Sequence, residues 1–129
     1  MAERNSHKRP KNLDLLRIRL PVGGVVSILH RVTGVLLVLL LPLAFLLLQS
    51  SLQSPEGYAQ VVALLSSLPA RVLLLFVTIL LAHHFLAGVR HLLLDIDLGI
   101  SRRGGRLGAW LVLVAVVGTA VVAGGCLFR

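Results

Sequence analysis

The sequence predicts an all-α integral membrane protein: three transmembrane helices, a short interfacial helix in the first loop, and a cytoplasmic N-terminus. Composition is the first reason. The 129 residues are 57% hydrophobic and only 14% charged, with a mean hydropathy of +0.92, whereas a soluble domain carries about 25% charged residues. The second reason is where the charges are missing. No Asp, Glu, Lys or Arg occurs between Arg31 and Glu56, between Arg71 and Arg90, or between Arg106 and Arg129. A hydrocarbon core of ~30 Å needs roughly 20 apolar helical residues, and each block is long enough or nearly so. All three must be helices, because an open sheet edge finds no hydrogen-bond partner in lipid.

The expected spans are 22–48, 70–94 and 107–128, in a single domain covering 1–129 with residues 1–21 as a cytoplasmic arm. The first apolar block is not a secretion signal. Its leader of some 30 residues contains Pro10 and Pro21, and its run from Val32 to Leu48 exceeds the ~7–15 residues of a signal's apolar core. Pro21-Val22-Gly23-Gly24 opens the first helix, since proline suits a first turn. Ser54-Pro55-Glu56 is a helix-start signal of capping Ser, Pro and acidic first turn. Tyr58, Val61, Val62, Leu65 and Leu68 follow at helical spacing, predicting a short helix at the outer membrane face. Pro69 ends it and begins the second span. Gly104-Gly105 is expected to break the second loop before the third helix. In that helix, Ala115, Thr119 and Ala123 stand four apart and are expected to form a packing face. The single cysteine, Cys126, has no internal disulfide partner and is expected to pack.

A net charge of +8 and a pI near 11.6 do not point to nucleic acid, because no soluble domain remains to present the basic residues. They are topology signals. Arg4, Lys8, Arg9, Lys11, Arg17 and Arg19 precede the first span. The first loop carries only Glu56 before Arg71. Arg102, Arg103 and Arg106 fall in the second loop, with Arg90 just before it, and Arg129 ends the chain. The N-terminus and second loop are therefore expected inside, and the first loop and C-terminus outside.

Ionisable groups at membrane depth are costly and are functional candidates by default. On the second span, His84, Gly88, His91 and Asp95 lie at intervals of four, three and four, forming one helical stripe, with His83 turned ~100° away. The missing side chain at Gly88 is expected to leave room for a large planar group. His84 lies ~15 Å from the cytoplasmic end near Leu94, and His91 ~10 Å closer to that end. A neutral imidazole among Leu and Phe is a fitting heme ligand; a helix–helix hydrogen bond is the commoner use of a lone membrane histidine. On the first span, Ser27, Arg31 and Gly34 share a face, with His30 beside them. Arg31 alone reads as a snorkelling arginine and Ser27 alone as a hydroxyl bonded back to its own helix. Together they suggest a hydrogen-bonding pocket for a polar head group at the membrane surface.

Three segments carry a family resemblance: Arg9-Pro10-Lys11-Asn12-Leu13-Asp14-Leu15, Ser27-Ile28-Leu29-His30-Arg31-Val32-Thr33-Gly34, and His84-x-x-x-Gly88-Val89-Arg90-His91-x-x-x-Asp95. In order and spacing they resemble the cytochrome b membrane-anchor subunit of succinate dehydrogenase, respiratory complex II, over nearly the whole chain. Ser54-Pro55-Glu56-Gly57 also resembles enterobacterial members. Val89 departs from the isoleucine common in the family, and the C-terminal helix is diverged.

The resemblance implies half of a heme-binding anchor bundle in the bacterial inner membrane. One heme b would be shared with a sister anchor subunit that supplies the second axial histidine. A flavoprotein and an iron-sulfur protein would dock on the cytoplasmic face. His84 matches the axial heme ligand, and His30, Arg31 and His91 match positions near the heme propionates. The expected ubiquinone-binding set is Ser27, Arg31 and Ile28. Such a chain is a non-autonomous subunit of succinate:quinone oxidoreductase, with no catalysis of its own. The rival expectations are the anchor of a fumarate reductase, and a non-heme membrane assembly or transport subunit. A transporter usually shows inverted repeats or broken helices, and the sequence shows neither.

Overall fold

A computed structural model describes residues 20–129. The Arg9–Leu15 segment, the basic residues Arg4 to Arg19 and nearly all of the expected arm lie outside the described residues. Four helices make up the described chain: α1 (Val22–Gln53), α2 (Pro55–Ser66), α3 (Leu68–Asp95) and α4 (Arg102–Leu127). Among the described residues there is no strand. Helices α1, α3 and α4 are long and apolar enough to cross a membrane; the protein is an all-α integral membrane protein.

These three helices contain 32, 28 and 26 residues, or ~48, ~42 and ~39 Å at ~1.5 Å per residue. All exceed a ~30 Å hydrocarbon core, so their ends project into the interface. That is why the helices outrun the expected spans: the loss of apolar residues marks the edge of lipid, not the end of the helix. Helix α1 continues through Ser50, Ser51 and Gln53, and α4 begins at Arg102. Arg102, Arg103 and Arg106 therefore belong to the first turns of α4 and not to a loop. Gly104 and Gly105 do not break the chain either. Ser101 caps α4, its Oγ accepting from the Gly104 N–H at 3.0 Å, and the glycines sit inside the first turn. The reversal happens earlier, where Asp97 (φ 62°) and Gly99 (φ 80°) adopt left-handed backbone.

The start of α2 follows its sequence signal. The Ser54 side chain accepts from the Gly57 N–H at 3.0 Å, and Pro55 occupies the first turn. No α2 residue is buried. At the same end of the bundle, Arg71 Nη1 donates to the Leu127 carbonyl at 3.3 Å. Arg71, in the first turn of α3, thus caps the C-terminus of α4, where a cation also meets the negative end of the helix dipole.

Helix α3 packs against both α1 and α4. The core is small: Val26, Ala87 and Ala109 are fully buried, Val112 nearly so, with Val22, Leu86, Leu113 and Val116 around them. Small side chains at the seam let the helix backbones approach closely. Only 6% of the most apolar stretch of α1 and of α4, and 17% of that of α3, is buried. Most of the apolar surface is therefore left for lipid or partner chains. Two packing expectations change accordingly. Ala115 is exposed and Thr119 and Ala123 are only half-buried, because α4 turns Ala109, Val112 and Val116 inward instead. Cys126 is exposed.

Candidate functional site

The polar residues at membrane depth gather on the α1–α3 seam. His30 and His84 stack face to face, with ring centroids 4.3 Å apart and planes 8° from parallel. His91, two stripe positions beyond His84 along α3, lies 5.2 Å from His30 and is tilted by 55°. Two glycines make the stack possible, each on the helix opposite the ring it admits. A Cβ on Gly34 would lie 2.9 Å from His84 Cε1, and a Cβ on Gly88 would lie 3.3 Å from His30 Nε2. The room at Gly88 is thus taken by a planar group of this same chain, the His30 ring, and not left open. The reason is that α1 and α3 lie close enough for side chains of one to reach the backbone of the other.

Hydrogen bonding fixes the tautomer of His84. Its Nδ1 lies 3.2 Å from the His30 carbonyl oxygen and 3.5 Å from Thr33 Oγ1. A carbonyl only accepts, so the proton resides on Nδ1 and the Nε2 lone pair is free. Thr33 is buried, and its hydroxyl directs its own proton to the carbonyls of Leu29 (2.9 Å) or His30 (3.0 Å). It can therefore receive Nδ1–H as a second acceptor. A histidine held through one nitrogen by a backbone carbonyl, with the other nitrogen free, is oriented as metal-bound histidines are.

Among the described residues, no three His, Cys, Asp or Glu side chains converge on a metal-binding point. The described residues offer one oriented imidazole and not a closed ligand set. His83 belongs to a different face. It is 5% exposed, in line with buried Leu80 and Ala87, and neither ring nitrogen has a partner among the described residues. Asp95, the last position of the stripe, is exposed.

Ser27, Ile28 and Arg31 stand on the first turns of α1. Ser27 is half-buried; Ile28 and Arg31 are exposed. The other back-bonded hydroxyls, such as Thr33, Thr78 and Thr119, donate to a carbonyl of their own helix, but no such bond engages Ser27 among the described residues. Among the described residues, the three line an open face and not a closed pocket. Sequence reasoning missed Thr33, and it placed Gly34 on the Ser27–Arg31 face without its contact to His84. Both lie within one turn of His30, and only the contact across to α3 reveals what they do.

The family model described as succinate dehydrogenase/fumarate reductase transmembrane subunit matches residues 5–123. The chain belongs to this family. It is similar to the succinate dehydrogenase cytochrome b556 subunit of Coxiella burnetii, 38% identical over 120 residues that cover 91% of this chain and 94% of that protein. It is also similar to the subunit of the same name from Paracoccus denitrificans, 33% identical over 101 residues, 78% of either chain. As a transmembrane subunit of this family, the chain brings to the bilayer a seam of three histidines and an α1 face that is open to partners.

Proposed function

We propose that this chain is the cytochrome b anchor subunit of a succinate:quinone oxidoreductase, and that His84 is an axial ligand of heme b. The observation that carries the ligand assignment is the tautomer: Nδ1–H is held by the His30 carbonyl at 3.2 Å, leaving Nε2 free. A second histidine holding the heme would come from a sister anchor subunit, in keeping with the single oriented imidazole among the described residues. His30, which stacks on His84, His91, which lies next to His30, and Arg31 would hold the propionates. Bound there, heme supplies a one-electron redox centre within the membrane. The charge asymmetry places the N-terminus and the α3–α4 turn in the cytoplasm and the C-terminus in the periplasm of a bacterial inner membrane. The iron-sulfur and flavoprotein subunits dock on the cytoplasmic side. Both named relatives are succinate dehydrogenase subunits, which favours this direction over fumarate reduction; the family match sets aside an assembly or transport role.

Ser27, Ile28 and Arg31 form this chain's share of the ubiquinone site. Ser27 lies ~7–8 Å and Arg31 ~13 Å along the helix from Val22. That is shallow enough for a quinone head to meet electrons from a docked iron-sulfur subunit while its tail stays in lipid. Reduction to quinol takes up two electrons, from succinate oxidation in the partner subunits, and two protons. The Ser27 hydroxyl donates a hydrogen bond to a quinone carbonyl oxygen and can pass it a proton. Arg31 is a fixed cation beside the oxygen on which negative charge develops, and Ile28 is an apolar wall for the ring.

A charge-assisted hydrogen bond is worth ~1.5–3 kcal/mol, and more when it acts on developing charge in a dry site. Ser27→Ala and Arg31→Leu should each slow succinate-driven quinone reduction by roughly tenfold or more. Electron transfer to an artificial acceptor upstream of the quinone should persist. Heme content is measured in the same preparations, because Arg31 serves both groups. Normal quinone reduction in assembled, heme-replete variants would place the quinone elsewhere.

A further inference from the structure

A cavity of about 640 Å³ opens between the N-terminal ends of α1 and α4 and the C-terminal end of α3. Arg90, Ser101, Arg102, Arg106 and Trp110 are among its lining residues, and no carboxylate lines it among the described residues. Neither Ser27, Ile28, Arg31, His30, His84 nor His91 borders it, so it is separate from the seam described above. We propose that this cavity binds the phosphate head group of an anionic membrane phospholipid, with Arg90, Arg102 and Arg106 as its cationic wall. The proposal rests on membrane insertion alone and not on heme or quinone.

Charge is the first argument. Three guanidinium groups face one volume, with no acid among the described residues that line it, and such a basic pocket between membrane helices at an interface selects anionic head groups. Arg90 is held in place for the task. Its Nη2 donates to the Gly105 carbonyl at 3.1 Å, and its stem runs along Gly108, where a Cβ would come within 3.6 Å of Nε. The buried Nε has no partner among the described residues, which leaves donor capacity uncommitted. The start of α4 adds to the positive field. Ser101 satisfies the N–H groups of Gly104 and Gly105, whereas the first N–H groups of a helix have no partner within it and carry the positive end of its dipole.

The second argument separates a lipid from a free anion. From the rim, α4 presents Leu107, Trp110, Leu111 and Val114 to the outside, all at least half exposed. This apolar track runs down from the arginines at the spacing of one helix face. Trp110 lies ~12 Å beyond Arg102 along the axis, at the depth where indoles settle beneath lipid head groups. A phosphate in the cavity with an acyl chain along this track satisfies both surfaces; inorganic phosphate uses only one.

The test uses the delipidated whole complex, titrated with dioleoylphosphatidylglycerol or dioleoylphosphatidylcholine, with bound lipid counted by native mass spectrometry. The wild type should favour phosphatidylglycerol. The double variant R102Q/R106Q should weaken that binding by about tenfold or more; it leaves Arg90, which also ties α3 to α4, in place. R103Q, which removes a neighbouring charge that does not line the cavity, should keep wild-type affinity. Excess inorganic phosphate should not displace the lipid. Equal affinity for the two lipids, or equal losses in R103Q and R102Q/R106Q, would overturn the proposal. So would displacement by inorganic phosphate, which would make the cavity a free-anion site. Loss of the docked soluble subunits from R102Q/R106Q with lipid binding unchanged would make it a protein interface, and would overturn the proposal equally.

Discussion

Gly34→Ala adds one methyl group where α1 meets the face of His84. The new Cβ would stand 2.9 Å from His84 Cε1 and 3.3 Å from Nδ1, whereas carbon atoms rest at about 3.5–4.0 Å. The ring must therefore retreat by about 0.6–1.1 Å. Its Nδ1 is already 3.2 Å from the His30 oxygen, so that retreat carries it past the ~3.5 Å at which a hydrogen bond ceases to count. Overpacking costs about 1–3 kcal/mol and the lost hydrogen bond about 0.5–1.5 kcal/mol. Alanine's better helix propensity returns only about 1 kcal/mol. The predicted net is a destabilised α1–α3 seam and a displaced imidazole. Two assays read it: denaturation of the purified complex in detergent, and the low-spin heme spectrum. Gly118→Ala is the control, because nothing lies within 4 Å of its Cβ position. A Gly34→Ala complex as stable as Gly118→Ala, with an unchanged spectrum, would refute the glycine–imidazole contact.

Two further outcomes follow from the ends of the helices. Topology reporters fused at residue 1, near Glu56, near Arg103 and at Arg129 should read in, out, in, out; a cytoplasmic C-terminus would mean that one of the three helices does not cross. The Glu56 carboxyl is held below its usual range by its own backbone N–H and then by the Ser54 hydroxyl. A lowered folded-state pKa means a contribution that is present above the unfolded pKa and lost as pH falls through the folded one, so the start of α2 should loosen only in acid. Ser54→Ala should raise the Glu56 pKa and speed amide exchange in the first turn of α2 by roughly fivefold, both read by NMR in nanodiscs. An unchanged Glu56 titration would show that the cap does not act on it.

The three membrane helices were legible because charge is expensive in lipid, and its absence from Val32 to Pro55, Val72 to Val89 and Leu107 to Phe128 is a signal that tertiary packing cannot erase. The cap at Ser54 was legible for a local reason, since a hydroxyl, a proline and an acid in sequence leave the chain few alternatives. The helix ends near the α3–α4 turn were not, because Gly104-Gly105 reads as a break until Ser101 is seen to cap the turn that contains it. In the site, the stripe His84–Gly88–His91 follows from 3.6-residue periodicity, but what Gly88 admits does not. The occupant is His30, 54 residues away from His84 along the chain, and it arrives only when α1 packs on α3. Thr33 escaped notice for the same reason: its value lies in a carbonyl and an imidazole brought together by two helices.

The most direct measurement is the dithionite-reduced minus oxidised visible spectrum of the complex purified through a tag on this chain, taken for the wild type, His84→Ala and His83→Ala. The account predicts a low-spin b-type signal in the wild type and in His83→Ala, and its loss or conversion in His84→Ala. An intact signal in an assembled His84→Ala complex would contradict it.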